Sequence, residues 1–206
     1  MTASKLIKKV PMDCPLCDKT HELEERERIA TLTIKGEKVS YKERYFLCRN
    51  CAEEENEFET GSMVNANLSA ARNAYRTVHH LLTSDEIVRI RESYGLSQVD
   101  LAKLLDWGEA TVARYESKSI QDEAYDNMLR IIQANPLKAI ELLDKNRDKF
   151  TDSKRMQIRA NLEEKLDSYG KEFLKRQALE SEYVHFSEPS DANGYKTLDI
   201  DKIEYI

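Results

Sequence analysis

Residues 94–117 read Tyr-Gly-Leu-Ser-Gln-Val-Asp-Leu-Ala-Lys-Leu-Leu-Asp-Trp-Gly-Glu-Ala-Thr-Val-Ala-Arg-Tyr-Glu-Ser, and their punctuation decides the fold of the middle of the chain. Tyr94-Gly95 closes one helix. Ser97, with Asp100 three residues on, opens a second in which Leu101, Ala102, Leu104 and Leu105 face inward. Asp106-Trp107-Gly108 is a turn, and residues 109–117 make a third short helix with Val112 and Tyr115 on its buried side. The small side chain of Ala102 lets the two helices cross steeply. Two short helices joined by a three-residue turn are the pattern of a helix-turn-helix, whose second helix enters the DNA major groove.

The surrounding sequence extends this unit into a bundle. Upstream, Thr83 and Glu86 form a capping box for a helix carrying Ile87, Ile90 and Arg91. Downstream, two helices over about 123–134 and 136–146 offer Met128, Leu129, Ile131, Ile132, Leu137, Ile140, Leu142 and Leu143 to a core, with Pro136 suited to a first helical turn. None of the five is long enough to be stable alone, so residues 83–150 are expected to fold together.

Before this bundle, Leu68, Ala71, Ala74, Tyr75, Val78, Leu81 and Leu82 recur at three- and four-residue steps. They predict a connector helix over 63–82, with Gly61-Ser62 as a hinge ahead of it. Earlier still, the run from Ile29 to Ile34, then Lys35-Gly36-Glu37-Lys38, then Val39, Tyr41, Tyr45, Phe46 and Leu47 reads as strand, turn, strand. Residues 1–62 thus form a small antiparallel module. The final segment, 151–206, starts helically with Met156, Ile158, Leu162, Leu166, Tyr169, Phe173 and Leu174, passes a polar loop over 187–197, and ends with Leu198, Ile200, Ile203 and Tyr205 spaced as a strand. No role is assigned to it. The expected class is α+β, combining a small sheet, a connector helix, a five-helix bundle and a mainly helical extension.

Cys14 and Cys17 form one CxxC pair and Cys48 and Cys51 another. Each tight turn places two thiolates on one side of the backbone, and together they supply the four soft ligands of tetrahedral zinc. A module this small also lacks the apolar area to fold without such help. Four protein ligands leave no position for water or substrate, so one structural zinc per chain is expected. His21 reads as a strand or surface histidine, and His79-His80 as the end of the connector helix. No nucleophile, base and orienter can be assembled from the remaining residues, so an enzyme is not expected.

The chain has 206 residues, 34% of them charged, and a formal net charge of −6. No stretch is apolar enough to span a bilayer, and paired CxxC motifs favour a reducing compartment; the expectation is a cytoplasmic protein without membrane contact. Residues 82–150 hold thirteen acidic against ten basic side chains. DNA contact therefore has to come from a few well-placed groups rather than a basic field. Arg114 is the first of these, able to donate twice to guanine O6 and N7, unless it is engaged by Glu109 or Glu116. Glu109, Ala110 and Thr111 occupy the leading turn of the same helix, Gly108 permits close backbone approach to phosphate, and Ser97, Gln98 and Lys118 are suited to phosphate contact.

Tyr94-Gly95-Leu96-Ser97-Gln98 with Leu101-Ala102, followed by Thr111-Val112-Ala113-Arg114-Tyr115-Glu116, resembles the Cro/C1 (Xre) class of helix-turn-helix. A two-CxxC module ahead of that domain resembles the MqsA antitoxin family, with its YgiT-type zinc finger, over roughly residues 13–146. The resemblance implies a toxin-antitoxin regulator. Its zinc domain would bind a partner toxin, typically an RNA-cleaving protein, and its helical domain would dimerise, bind a palindromic operator and repress its own operon. Arg114 falls on a DNA-reading position of that family; the asparagine expected four residues earlier is Ala110 here. The alternative is a protein-interaction module in which an acidic surface that includes Glu53-Glu54-Glu55, or the C-terminal extension, meets a partner without reading DNA.

Overall fold

A computed structural model describes residues 4–51 and 56–185. The acidic run Glu53-Glu54-Glu55, the loop over 187–197 and the terminal strand lie outside the described residues. The chain divides into two units, residues 1–166 and 167–206. Of the second, residues 167–185 are helical.

The first unit begins with an antiparallel sheet in the order β1 (Lys5–Asp13), β2 (Thr20–Ile34), β3 (Glu37–Leu47) and β4 (Glu57–Phe58). The hairpin between β2 and β3 pairs Ile34 with Glu37. Only Lys35 and Gly36 remain to turn, and both have positive φ, 49° and 87°. That is the left-handed turn that matches the twist of a two-residue hairpin. The opposite end of the sheet carries the cysteines: Cys14 follows β1, Cys48 follows β3, and both are fully buried beside Leu23 and Phe46.

Helix α1 (Gly61–Val78) starts with Thr60 as N-cap, so Gly61-Ser62, expected as a hinge, forms its first turn. The helix lies against β3, where the Asn67 side chain accepts from Arg44 N at 2.9 Å and donates to Arg44 O at 2.7 Å. One amide thus does for Arg44 what a neighbouring strand would do, satisfying both backbone groups.

Among the described residues six further α-helices follow: α2 (Ser84–Ser93), α3 (Gln98–Leu104), α4 (Thr111–Ser117), α5 (Glu123–Ala134), α6 (Pro136–Lys145) and α7 (Asp152–His185). Both capping boxes are present, Thr83 with Glu86 and Ser97 with Asp100, and Pro136 occupies the first turn of α6. The core joins Ile87, Ile90, Leu101, Ala102, Leu104, Val112, Leu129, Ile132 and Leu143 with Ile158 and Leu162 of α7. Packing therefore continues past the boundary at 150 drawn from the sequence. Ile131 and Leu137, expected inside, are 46% and 52% exposed, because Leu129 and Ile132 take the inner stripe of α5 and Ala139 and Leu143 that of α6. Tyr115 is half-buried rather than in the core, edge-on to Trp107 and Tyr125.

Candidate metal centre and nucleic-acid interface

Two sites occupy the first unit. At the open end of the sheet, the sulfurs of Cys14, Cys17 and Cys48 and a ring nitrogen of His21 all lie within 4.8 Å of one another. The first CxxC is shaped by the turn between β1 and β2, where Asp18 N donates to Cys14 O and Cys14 N to Lys19 O. The second is fixed by Cys48 N donating to Asn56 O at 2.8 Å. Cys51 touches Cys48 but is not one of the four.

Three soft sulfurs and one imidazole, gathered in a pocket with two fully buried members, fit a tetrahedral ion such as zinc. Burial pushes the Cys14 thiol up, but hydrogen bonds from His21, from the backbone at Leu16 and Cys17 and from Cys48 outweigh it and bring it down to about 6. Burial pushes the Cys17 and Cys48 thiols up.

His21, read as a strand or surface histidine, stands inside the group. Its pleat position was the available signal: it precedes fully buried Leu23 by two residues, so both side chains leave β2 on the same face. His79 stacks on Tyr75 and pairs with Glu37 at 2.9 Å.

The second candidate site is the pair α3 and α4, read from the sequence as a helix-turn-helix. Arg114 is exposed on α4, and among the described residues its side chain meets only Thr111 Oγ1, at 3.5 Å. Neither carboxylate that threatened to neutralise it does so. Glu116 accepts from Arg91 Nε at 2.6 Å and Nη2 at 3.2 Å, and from Gln98 Nε2 at 2.7 Å, while Glu109 lies 3.4 Å from Lys103 Nζ. Ala110, Glu109, Gly108 and Lys118 are exposed on the same helix and its flanks.

Three of the expected contacts have other duties. Thr111 is 6% exposed; α4 begins there rather than at Glu109, so its side chain turns inward beneath Arg114 instead of facing a groove. Gln98 is half-buried and committed to Glu116. Ser97 uses its hydroxyl as the α3 cap, accepting from Asp100 N and donating to Asp100 Oδ2. Gly108 sits in the turn ahead of α4; the left-handed residue of that turn is Asp106, at φ 61°.

A residue that sequence reasoning passed over ties α1 to the end of α4. Arg76 of α1 is 2% exposed. It donates from Nη2 to Tyr115 O and Ser119 O, each at 2.7 Å, from Nε to Gln121 Oε1 at 3.0 Å, and from Nη1 to Asn73 Oδ1 at 2.7 Å. Two of those carbonyls lie at the C-terminal end of α4, where a helix presents partial negative charge. Burial and nearby Arg72 lower Arg76 to about 10, so it remains charged at neutral pH.

The family model describing MqsA, the antitoxin component of a bacterial toxin-antitoxin system, matches residues 12–147. The chain belongs to the MqsA antitoxin family. The match runs from just ahead of Cys14 past the end of α6, so it includes every member of both sites and stops before α7. No curated protein matches the chain. Among the described residues of this MqsA-family chain, no helix is long and apolar enough to cross a membrane.

Proposed function

We propose that this MqsA-family chain is a sequence-specific DNA-binding repressor that acts as the antitoxin of a toxin-antitoxin pair and regulates its own operon. The observation that carries the reading is Arg114, which stands exposed midway along α4 with its carboxylate competitors occupied. A guanidinium left without a charged partner is suited to bidentate donation to a guanine. Glu109, Ala110 and Gly108 add the leading edge of the reader, and Lys118 a phosphate contact at its trailing end.

A homodimer on a palindromic, double-stranded operator follows from the small size of one reading helix, which spans too few bases to specify a site alone. One structural zinc per chain at the cysteine cluster would stabilise the N-terminal sheet, and family membership supports a cognate toxin as the partner of that module. The protein is read as a binding protein rather than an enzyme, acting in the cytoplasm. Fluorescence anisotropy with a labelled duplex from the chain's own upstream region tests the reading. Tight binding that weakens with salt and fails on scrambled duplex is expected; equal affinity for both duplexes would overturn it.

A further inference from the structure

The tip of the β2–β3 hairpin, the middle of α1 and the end of α4 enclose a hollow of about 260 Å³. Leu32 and Ile34 of β2, Leu68 of α1 and Ile120 just past α4 give it apolar walls, and all four are half-buried. Its rim is cationic: Lys35, Arg72 and Lys118 line it, and no carboxylate does. A second hollow of about 400 Å³ adjoins it, sharing Leu68, Arg72 and Lys118, and it too is lined by no acidic residue. Small-molecule sites run upward from about 300 Å³, so an occupant of this one is small.

The chain as a whole carries a net charge of −6, yet among the described residues none of these three cations is in an ion pair. Lys35 Nζ stands 5.6 Å from the centre of the Tyr75 ring. Arg72 donates from Nη1 to Ser117 O at 3.4 Å. That bond holds the guanidinium against the end of α4 and leaves its side-on fork, Nε and Nη2, for two oxygens. Burial and the charge of Arg72 lower Arg76, one turn along α1, to about 10. Positive charge is thus already crowded here, and an anion beside Arg72 relieves it. A bare anion would leave the apolar walls unused, and a neutral hydrocarbon would leave the cations unused.

We propose that this hollow binds a small amphiphilic carboxylate, its two oxygens on the Arg72 fork and its hydrocarbon end against Leu68 and the residues facing it. The site itself does not depend on the DNA reading. Its consequence rests on that reading: Lys118 is the proposed phosphate contact at the trailing end of α4, so an occupant that neutralises it lowers affinity for the operator.

The test uses the full chain, isotopically labelled for amide NMR, and sodium octanoate as the probe, with octanol, inorganic phosphate and sodium chloride as comparisons. Octanoate is expected to shift the amide signals of residues 32–35, Leu68, Arg72 and Lys118, saturating at one per chain. Octanol and phosphate each lack one half of the recognition and should bind at least about tenfold more weakly. Arg72→Gln should weaken octanoate by about tenfold and Lys118→Gln by about threefold. Shifts that do not saturate or that lie elsewhere, octanol or phosphate binding as tightly as octanoate, or both variants binding as the parent does would overturn the site. Should Arg72→Gln fail to fold, Lys118→Gln decides, because that side chain is exposed. In fluorescence anisotropy at matched sodium concentration, saturating octanoate should weaken the parent's binding to its upstream duplex by at least about threefold, and Arg72→Gln should resist this. Unchanged duplex affinity at saturating octanoate would overturn the consequence and leave the site standing. A chain that binds no duplex with or without octanoate overturns the DNA reading alone, since the amide shifts are recorded without DNA.

Discussion

Arg91 holds Glu116 with two parallel hydrogen bonds, Nε to Oε1 at 2.6 Å and Nη2 to Oε2 at 3.2 Å, and Glu116 is 6% exposed at its side chain. The pair ties α2 to α4 and keeps a carboxylate away from Arg114 two residues earlier. Replacing Arg91 with alanine strands a largely buried charge, which costs on the order of 3 kcal/mol. We expect a lower urea midpoint and weaker operator binding beyond what instability explains. Removing both partners should recover much of the stability, and a double-mutant cycle measures this. Full additivity would show that the pair does not act as one.

Arg114→Ala should weaken operator binding by about 1–3 kcal/mol while leaving the urea midpoint within about 0.5 kcal/mol of the parent, since the side chain is exposed. Lys118→Ala should act on all sequences alike and reduce the slope of log K against log salt by about one. Titrations of cognate and scrambled duplexes at several salt concentrations separate the two. An Arg114→Ala chain that binds the operator as tightly as the parent would remove that residue from the reader.

Arg76→Met keeps length and apolar volume but deletes four donated hydrogen bonds and leaves Tyr115 O and Ser119 O facing a thioether. With each unsatisfied buried group costing about 1–3 kcal/mol, a loss of at least about 3 kcal/mol is expected. Denaturant unfolding followed through Trp107, which packs on Tyr115, reports it directly. A change below about 1 kcal/mol would mean that water replaces the guanidinium at little cost.

Two helix caps set the acid limit of the bundle. Hydrogen bonds from the backbone and hydroxyl of Thr83 lower the Glu86 carboxyl. For Asp100, burial pushes upward, but hydrogen bonds from Ser97 and Lys154 outweigh it and lower the carboxyl as well. A carboxylate whose folded pKa is depressed contributes stability that is complete above its unfolded value, about 4, and is lost as pH falls through the folded value. Stability of the bundle should therefore fall steeply below about pH 4. Glu86→Gln and Asp100→Asn should lower stability at pH 7 and flatten the acid limb. Urea midpoints between pH 7 and pH 3 test this, and an unchanged slope in the double variant would count against it.

Gly95 and Gly108 should respond differently to alanine. Gly95 has φ +63°, and a Cβ there would stand 2.5 Å from Asn161 Nδ2. Gly95→Ala should cost about 1–2 kcal/mol. At Gly108 the nearest atom to an added Cβ is Thr111 Oγ1 at an ordinary 3.5 Å, so Gly108→Ala should leave stability unchanged and show any effect only in DNA affinity. Thermal melts of the two variants side by side are sufficient.

The parts legible in the sequence are those governed by neighbours along the chain. Thr83 with Glu86, Ser97 with Asp100 and Pro136 each announce a boundary within four residues and stand where they are read, while the turn read over 35–38 tightens to Lys35-Gly36, with Glu37 and Lys38 already paired in β3. What escaped was set by distant partners. His21 joins the cysteines because β2 pairs with β1 and β3 at once, which brings Cys48, twenty-seven residues away, to its ring. Arg76 looks like a solvated residue on an amphipathic helix until carbonyls about forty residues downstream close over it. Thr111 reads as groove-facing only if the helix starts at Glu109; α4 starts at Thr111 itself, and the side chain turns inside.

Ile158 and Leu162, 1% and 0% exposed, fill the bundle from a helix beyond the family match. A fragment cut at residue 150 would keep every groove-facing residue and yet carry an open slot where two aliphatic side chains belong, a loss of roughly 2–5 kcal/mol for each. Its DNA reader would be chemically complete and mechanically loose. Anything that trims this end would thereby act on the lifetime of the folded chain without touching a single residue proposed to meet DNA.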